Sequence, residues 1–438
     1  MRNDVRKKPL LLCPAGSPET LRTAVRYGAD AVYLGGEAFG LRANAKNFSQ
    51  EDMAAGIEYA HEHGVRVHVT ANILAHEYDM AEAGEYFREL SQLKPDALLI
   101  ADPGMFMLAK QYCPGIPLHI STQANNTNSG TFNFWYGQGA KCVVCARELS
   151  LKEISEIRKN VPDDLEIEAF VHGAMCISYS GRCLMSSFMA GRDANRGECT
   201  HPCRWKYALM EEKRPGEYFP VFENDRGSYV MNSRDLCMIE HIPELIEAGI
   251  DSFKIEGRMK TALYVAALTR AYRRAIDDWF EDPALYEKNL PWYREEVRMC
   301  TYRDFTTGFY FGKPSEDDFV YANNTYKSDA VYIGTVEETD GAGRAVIFQK
   351  NKFAAGDEIT VMKADGRNIR CRAALLQDED GNEIPDAPHP KQKILITLER
   401  YDEDGGTGKE QEAAGFNDIP AEAGDILRTE TVRTEGNA

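Results

Sequence analysis

Short apolar runs alternate with amphipathic stretches along roughly the first 260 residues of the chain. Helix signals lie between the runs, such as Ser17 followed by Pro18, and Ser150 followed by Glu153 at the capping-box spacing. Strands that alternate with helices indicate parallel βαβ units, and eight such units predict a (β/α)8, TIM-like barrel. A doubly wound open sheet is the alternative, although no Gly-rich dinucleotide fingerprint follows the first run. The predicted strands cover residues 10–16, 31–36, 65–74, 97–104, 117–123, 141–148, 165–173 and 250–258.

Several predicted strands are apolar on one face only. Ile167, for example, lies between Glu166 and Glu168, and other strands repeat this alternation. In a barrel the apolar face packs on the helices, so the polar face points into the lumen, where residues such as Lys254 can form internal ion pairs. Barrel active sites lie at the carboxyl ends of the strands. Near those ends, four residues are candidates for binding: Asn72, Gln123, His172 and Arg258.

From about residue 327 the pattern changes to short alternating strands. Segments such as "AVYIGTV", "DEITVM" and "KILITLE" are separated by turn sequences such as "ADG" and "DEDGN". This pattern predicts a second, smaller C-terminal β-barrel domain over residues 327–438. The TIM-like barrel, with a cysteine-rich βα loop at 173–235, then occupies residues 1–305.

The bulk properties narrow the class of protein. The chain has 438 residues, a formal net charge of −18, and no apolar run long enough to span a membrane. The apolar run near the N-terminus is also too short for a signal peptide. We therefore expect a cytoplasmic protein without membrane contact, whose thiols stay reduced. Net acidity argues against nonspecific coating of nucleic acid but permits a local basic site.

Four of the eleven cysteines lie between Cys176 and Cys203, in the loop after the seventh predicted strand. Their spacing is C-x6-C-x15-C-x3-C. Structural zinc sites usually pair their ligands more closely, whereas iron–sulfur clusters accept looser spacing. Cys237 follows at the expected N-terminus of the next helix, which is predicted from about Asp235 to Gly249. The spacing favours an iron–sulfur cluster, with zinc and no metal as the alternatives.

Long motifs in the first domain resemble those of the collagenase-like peptidase family U32. They include "EAFVHGAMCISYSGRCLMSSF", "GRDANRGECTHPCRWKY", "ISTQANNTNS" and "FKIEGRMK". The two-domain layout is most similar to bacterial members that install 5-hydroxyuridine at the wobble position of tRNA, with prephenate as the hydroxyl source. The resemblance implies a [4Fe-4S] cluster, with tRNA, prephenate and optionally a second subunit of the same family as partners. Relatives that act on rRNA or on quinone precursors make those substrates alternatives.

The resemblance also implies roles for individual residues. It places the cluster ligands at four cysteines and leaves Cys203 as a neighbouring fifth thiol. Guanidinium groups after the strands suit the two carboxylates of prephenate, although pairing with nearby glutamates explains them nearly as well. The implied ligand cysteines are Cys176, Cys183, Cys199 and Cys237. The candidate catalytic residues are His172, Gln123 and Glu168. The candidate substrate-binding residues are Arg42, Asn72, His119, Arg147 and Arg258.

Two other functions compete with RNA hydroxylation. Trp205 and Tyr207 among the cations of the loop are typical of RNA contacts, but also of a solvated loop surface. A non-catalytic RNA-binding scaffold is therefore one alternative. A peptidase is the other, and it would need a nucleophile such as Cys176 paired with His172. The chain lacks both H-E-x-x-H and G-x-S-x-G, which argues against the common peptidase mechanisms.

Overall fold

A computed structural model describes most of the chain. The described residues are 7–37, 39, 47–176, 178–179, 183–196, 198–204, 208–209, 219–220, 232–313, 319–320, 326–340, 344–400 and 420–430. The strands of the first part are β1 (Leu10–Pro14), β2 (Ala31–Gly35), β3 (Arg66–Ala71), β4 (Ala97–Ile100), β5 (Leu118–Ile120), β6 (Cys142–Val144), β7 (Glu166–Ala174), β8 (Ala208–Leu209), β9 (Phe219–Pro220), β10 (Asn232–Ser233), β11 (Asp235–Cys237), β12 (Ser252–Ile255), β13 (Phe305–Thr306) and β14 (Phe319–Val320).

Eight parallel strands close into a barrel within the described part of the chain. Strands β1 to β7 pair in chain order, and β12 pairs with both β1 and β7, which closes the ring. Outward side chains such as Val67 and Val69 are fully buried in the core that includes the surrounding helices. The predicted (β/α)8 fold is confirmed, and the carboxyl ends of the strands meet on one face of the barrel.

Side-chain caps set where the helices begin. Ser17 Oγ accepts the Thr20 N–H at 3.2 Å, and Ser150 Oγ accepts the Glu153 N–H at 3.3 Å. Each such cap stabilises its helix by about 1 kcal/mol. None of the described helices is both long and apolar enough to cross a membrane. The helices are α1 (Pro18–Arg26), α2 (Gln50–Glu62), α3 (Glu77–Leu93), α4 (Pro103–Tyr112), α5 (Ser129–Gln138), α6 (Leu151–Lys159), α7 (Met185–Ala190), α8 (Ile242–Glu247), α9 (Ala262–Glu281) and α10 (Pro283–Glu296).

Strand β7 carries one extra residue relative to β12. Phe170 pairs with Lys254 across the two strands. The next pair joins His172 to Ile255, so Val171 has no counterpart on β12. An insertion of this kind reverses the alternation of side chains beyond it. His172 therefore points toward helix α9 and not into the lumen, where the sequence pattern predicts it.

The segment after the cysteine loop forms a strand and not the start of a helix. β7 has nine residues whereas β12 has four, so backbone groups at the end of β7 need another partner. β11 supplies it by pairing antiparallel to β7, with Cys237 opposite His172. Helix α8 begins only at Ile242. The expectation that Cys237 lies at a helix N-terminus is therefore wrong.

A smaller barrel follows, in which six antiparallel strands of the described chain close on themselves. Alternating aliphatic residues such as Ile333, Ile347 and Ile394 fill its core. The predicted C-terminal β-barrel is confirmed, while the domain bounds at 305 and 327 stay predictions. Its strands are β15 (Ala330–Thr339), β16 (Arg344–Phe348), β17 (Phe353–Ala354), β18 (Glu358–Met362), β19 (Asn368–Gln377), β20 (Asp386–Ala387), β21 (Lys393–Arg400) and β22 (Ile426–Glu430).

Buried charges join the two barrels. Arg270 of α9 and Arg428 of β22 both pair with Glu296 of α10, with N–O distances of 2.7 and 3.0 Å. Desolvation alone would raise the pKa of Glu296, but the two guanidinium groups outweigh it and hold that pKa below its usual value. Tyr27, which directly follows α1, adds a hydrogen bond to the backbone oxygen of Met362 at 2.6 Å. The contact between the barrels is therefore a specific, buried network.

Candidate active site

A cavity of about 140 Å³ opens at the carboxyl ends of the barrel strands. It is lined by barrel residues on one side and by the cysteine loop on the other, on the face where barrel enzymes carry their active sites. The barrel side includes Tyr33, Asn72, Gln123, Arg147, Lys254 and Arg258. The loop side includes Cys176, Ser178, Cys183, Cys199, His201 and Cys203.

An amide network occupies the cavity wall after β3 and β5. Asn72 Nδ2 donates to Ser121 Oγ at 3.1 Å and to Gln123 Oε1 at 3.0 Å. Ser121 donates to the same oxygen of Gln123. Asn72 Oδ1 is buried and accepts no hydrogen bond within the described residues. The structure thus brings the predicted residues Asn72 and Gln123 together, and their roles stay predictions.

Arg147 connects the barrel wall to the cysteine loop. Its Nη1 donates to the backbone oxygen of Ala174 at 3.1 Å and lies 3.8 Å from Cys176 Sγ. The guanidinium also lies 4.1 Å from the centroid of the Phe170 ring. These contacts hold a permanent positive charge beside the first thiol of the loop, where it stabilises negative charge in the cavity.

Arg258 is the second guanidinium of the cavity wall. It is buried, and its Nη1 donates to Thr70 Oγ1 at 3.1 Å. Glu256 lines the same cavity, and its Oε2 lies 3.3 Å from Tyr33 Oη. The third predicted guanidinium, Arg42, lies outside the described residues. Arg147 and Arg258 are therefore the predicted arginines that the structure brings to one cavity.

A buried ion pair lies at the floor of the cavity. Lys254 Nζ is 2.7 Å from Glu168 Oε1, and the two side chains are only 4% and 1% exposed. Ser252 Oγ donates to the other carboxylate oxygen of Glu168 at 3.0 Å. Lys254 lines the cavity, whereas Glu168 lies below it. Glu168, a predicted catalytic residue, is therefore placed as the counter-ion of Lys254.

His119 lies deeper in the lumen. Its ring packs edge-on against His68, with centroids 4.9 Å apart. Burial lowers the pKa of His119 to about 4, although the nearby Glu168 carboxylate acts in the opposite direction. His119 is not among the described residues that line the cavity. The structure thus gives it a place in the buried lumen and not in the predicted substrate-binding wall.

His172 is placed behind the barrel wall. Its Nδ1 lies 3.3 Å from Tyr272 Oη, and its ring packs edge-on against Tyr264, Tyr272 and Phe305. Burial, followed by the positive charge of Lys260, lowers the pKa of His172 to about 3. Since Cys176 lines the cavity and His172 faces helix α9, the structure does not form the Cys–His pair of the peptidase hypothesis.

The cysteines separate into two places. Cys176, Cys183, Cys199 and Cys203 line the cavity. Cys237 lines a different depression, beside Glu240 and Arg294. There, loss of hydration raises the pKa of the Cys237 thiol to about 12. The tertiary structure therefore groups Cys203, and not Cys237, with the three other thiols of the loop.

The donor set of the loop fits an iron–sulfur cluster in its chemistry. Four thiols that face one cavity are the ligands that a [4Fe-4S] cluster takes. Among the described residues, no three His, Cys, Asp or Glu side chains are gathered closely enough to hold a metal ion. The loop thiols would have to approach one another to bind a cluster.

Tyr33 and Ser178 are cavity residues that the sequence pattern did not single out. Tyr33 has the one hydroxyl in the otherwise apolar strand "AVYLG", and a single polar group in such a strand is a sequence signal for a residue that lines a cavity. Its Oη donates to the backbone oxygen of Ile255 at 3.0 Å. Ser178 lies in a loop without periodic pattern, where no local signal marks it. Trp205 and Tyr207, the predicted RNA contacts, lie outside the described residues.

Both parts of the chain match known families. Peptidase family U32 matches residues 16–319, and the peptidase family U32 C-terminal domain matches residues 328–406. The tRNA hydroxylation protein P1 of Bacillus subtilis (strain 168) is 40% identical over 397 residues, which are 90% of this chain and 93% of that protein. The tRNA hydroxylation protein P of Escherichia coli (strain K12) is 36% identical over 422 residues, 87% of this chain and 92% of that protein.

An archaeal relative carries a different name. An uncharacterized protease of Methanocaldococcus jannaschii is 44% identical over 332 residues, which are 74% of this chain and 79% of that protein. The family match covers both the barrel that holds the cavity and most of the second domain. This chain therefore belongs to peptidase family U32.

Proposed function

We propose that this protein hydroxylates the wobble uridine of tRNA to 5-hydroxyuridine, with prephenate as the source of the hydroxyl group. Two relatives that match most of the chain are named tRNA hydroxylation proteins. The observation that carries the proposal is one cavity that is lined by two guanidinium groups and four thiols. With tRNA as the substrate, the reaction would take place in the cytoplasm.

The barrel side of the cavity suits a small dicarboxylate. Arg147 and Arg258 offer guanidinium forks, the groups that bind carboxylates with two parallel hydrogen bonds. Lys254 adds an ammonium group at the floor. Because Arg258 is buried, its charge attracts an anion more strongly than a surface charge does, whereas the charge of Lys254 is already paired with Glu168. Prephenate, with two carboxylates, matches this arrangement.

We place the [4Fe-4S] cluster on the loop side of the cavity. Cys176, Cys183 and Cys199 are positions that the family resemblance implies, and we take Cys203 as the fourth ligand because it lines the same cavity. A bound cluster would supply one-electron redox chemistry beside the co-substrate. Arg147, which lies 3.8 Å from Cys176 Sγ, would offset part of the negative charge of the thiolates.

The cysteine loop, which lines the cavity at Cys183, also offers an apolar surface to RNA. Leu184, Phe188 and Met189, at and next to α7, are 64%, 83% and 50% exposed. Exposed aromatic rings stack on unpaired bases, and the wobble base of an anticodon loop is unpaired. Arg192 follows this segment and is exposed, where a cation can contact phosphate. A second subunit of the same family is a further component of the proposal, to be sought by co-purification.

Isotope tracing tests the reaction directly. Anaerobically purified protein would be incubated with unmodified tRNA and with prephenate that carries 18O in its ring hydroxyl. We expect 5-hydroxyuridine that contains 18O, detected by mass spectrometry of the digested nucleosides. Arg258→Met should abolish the product, whereas Lys288→Met on the exposed surface of α10 should not change it.

The alternatives give different outcomes in the same experiment. Hydroxylated uridine without 18O would contradict prephenate as the hydroxyl source. Product in rRNA or in a quinone precursor, but not in tRNA, would identify another substrate. Peptidase activity is the second candidate, because the family and the archaeal relative carry that name. Hydrolysis of gelatin by the protein, without hydroxylation of any RNA, would favour it.

A further inference from the structure

Three buried polar groups of the cavity have no hydrogen-bond partner within the described residues. They are Asn72 Oδ1, Arg147 Nε and Ser178 Oγ. All three residues line the same cavity. A buried polar group without a partner is costly, so native proteins rarely keep one without a reason. Three such groups around one cavity indicate that a ligand completes their hydrogen bonds.

The chemical type of each group restricts the ligand. Asn72 uses its Nδ2 for Ser121 and Gln123, at 3.1 and 3.0 Å, which orients the amide and leaves Oδ1 as an acceptor only. An acceptor needs a donor from the ligand, and a hydroxyl group is the smallest organic donor without charge. Asn72 is only 7% exposed, so bulk water has little access to hydrogen-bond this oxygen.

Arg147 requires the opposite type of partner. Its Nη1 is held by the backbone oxygen of Ala174 at 3.1 Å, and its plane is supported by the Phe170 ring at 4.1 Å. Its Nε, which has no partner in the part of the chain that the structure describes, is a charged donor and calls for an anionic acceptor such as a carboxylate. Ser178 Oγ can donate or accept and adds no further restriction.

We propose that the cavity recognises one small anion that also carries a hydroxyl group, with the hydroxyl bound by Asn72 and a carboxylate bound by Arg147. The assignment rests on the proposed function for the identity of the ligand and makes Asn72 the residue that determines specificity for its hydroxyl. The cavity, with a volume of about 140 Å³, has the scale of a small organic molecule.

The proposal explains how the protein selects a hydroxylated acid over its deoxy analogue. An acid without the hydroxyl would leave Asn72 Oδ1 buried and unpaired. Sites built to bind a hydroxyl reject the analogue that lacks it far more strongly than apolar pockets reject a missing methylene. Asn72 therefore acts at the binding step, before any chemistry on RNA.

Calorimetric titration of the anaerobically purified full chain tests this with two matched probes. 4-Hydroxyphenylpyruvate and phenylpyruvate differ only in a hydroxyl group, and prephenate serves as the third probe. We expect the wild-type protein to prefer 4-hydroxyphenylpyruvate by at least about tenfold. Asn72→Ala should bind both with equal affinity and should bind prephenate at least about tenfold more weakly.

Further variants separate this role from a merely structural one. Asn72→Asp keeps an acceptor and should keep the preference for the hydroxyl, although its added charge weakens binding of every anion. Arg147→Met should weaken both probes equally, because both carry the carboxylate. Asn133→Ala, on the exposed face of α5, is the matched control and should behave as wild type. Thermal unfolding by circular dichroism verifies that each variant is folded.

The outcomes distinguish this proposal from the proposed function. A folded Asn72→Ala protein that still prefers the hydroxylated probe would overturn it, and so would a wild-type protein that binds none of the three probes. A protein that shows the preference and its loss in Asn72→Ala, yet hydroxylates no tRNA, would support this assignment while it contradicts the proposed function.

Discussion

A polar residue on or just after a barrel strand has a structural role when buried neighbours complete its hydrogen bonds. It is available to bind a ligand when they do not. Glu168 has Lys254 and Ser252 as partners, and His172 has Tyr272, so both are accounted for within the fold. Asn72, which directly follows β3, in contrast lines the cavity with an Oδ1 that has no hydrogen-bond partner within the described residues. A polar residue at such a position therefore predicts a buried polar contact. Its neighbours in the fold decide whether that contact is an internal pair or a contact with a ligand.

His172 should make the protein sensitive to acid although it does not line the cavity. Burial lowers its pKa from 6.5 to about 3, so the folded protein keeps the ring neutral while the unfolded chain binds a proton below pH 6.5. The stabilising contribution is complete above that pH and is lost progressively as the pH falls from 6.5 towards 3. When the pH falls from 7 to 5.5, the free energy of unfolding should therefore decrease by about 1 kcal/mol less in His172→Gln than in wild type.

Urea unfolding at the two pH values, followed by circular dichroism, measures this difference. His389→Gln, a substitution at an exposed histidine, is the control measured beside it. An identical loss of stability in His172→Gln and wild type would show that the ring is not held neutral in the folded protein.

At the scale of elements, the long strand β7 organises both the cavity and the cysteines. Its extra residue turns His172 outward, and its end pairs with β11 in the same sheet. Cys237 lies on β11, so this pairing directs Cys237 away from the cavity that the other four thiols share. Which cysteines share the cavity is therefore decided by strand pairing and not by spacing.

The fourth ligand can be identified from iron content. Cys203→Ala should lose the bound iron and the visible absorbance of the cluster, because its thiolate faces the cavity with the other three. Cys237→Ala should retain both. Cys142→Ser, at a fully buried position of β6, is the control and should also retain its iron. The reverse result for Cys203 and Cys237 would restore the ligand set that the family resemblance implies.

At the scale of the whole molecule, buried ion pairs hold the two barrels together. The carboxylate of Glu296 serves both Arg270 and Arg428, and all three side chains are at most 2% exposed. Removal of one member of such a group leaves buried charges without compensation, which is strongly destabilising. The network thus makes the small barrel a fixed neighbour of the barrel that holds the cavity.

Glu296→Gln should lower the free energy of unfolding by about 3–5 kcal/mol, because two buried guanidinium groups would lose their counter-ion. Asp340→Asn, which breaks an exposed pair with Arg344, is the control and should cost less than about 1 kcal/mol. Urea unfolding of both variants provides the comparison. Equal effects of the two substitutions would contradict a stabilising role for the buried network.

The sequence by itself determined the TIM-like barrel, the C-terminal β-barrel, and the cysteine loop at the carboxyl ends of the strands. These features follow from local signals: the period of apolar residues, the caps at Ser17 and Ser150, and the turn sequences of the second domain. The positions of Asn72, Gln123, Arg147 and Arg258 at one cavity follow as well, because all of them come just after parallel strands.

Only the tertiary structure decided which of the polar and thiol residues share that cavity. The orientation of His172 depends on one unpaired residue of β7, and the place of Cys237 depends on the pairing of β11 with β7. Likewise, Glu168 forms an ion pair with Lys254, which lies 86 residues later in the chain. Strand register and loop path are set by contacts between residues that are distant along the chain, and no local periodicity carries that information.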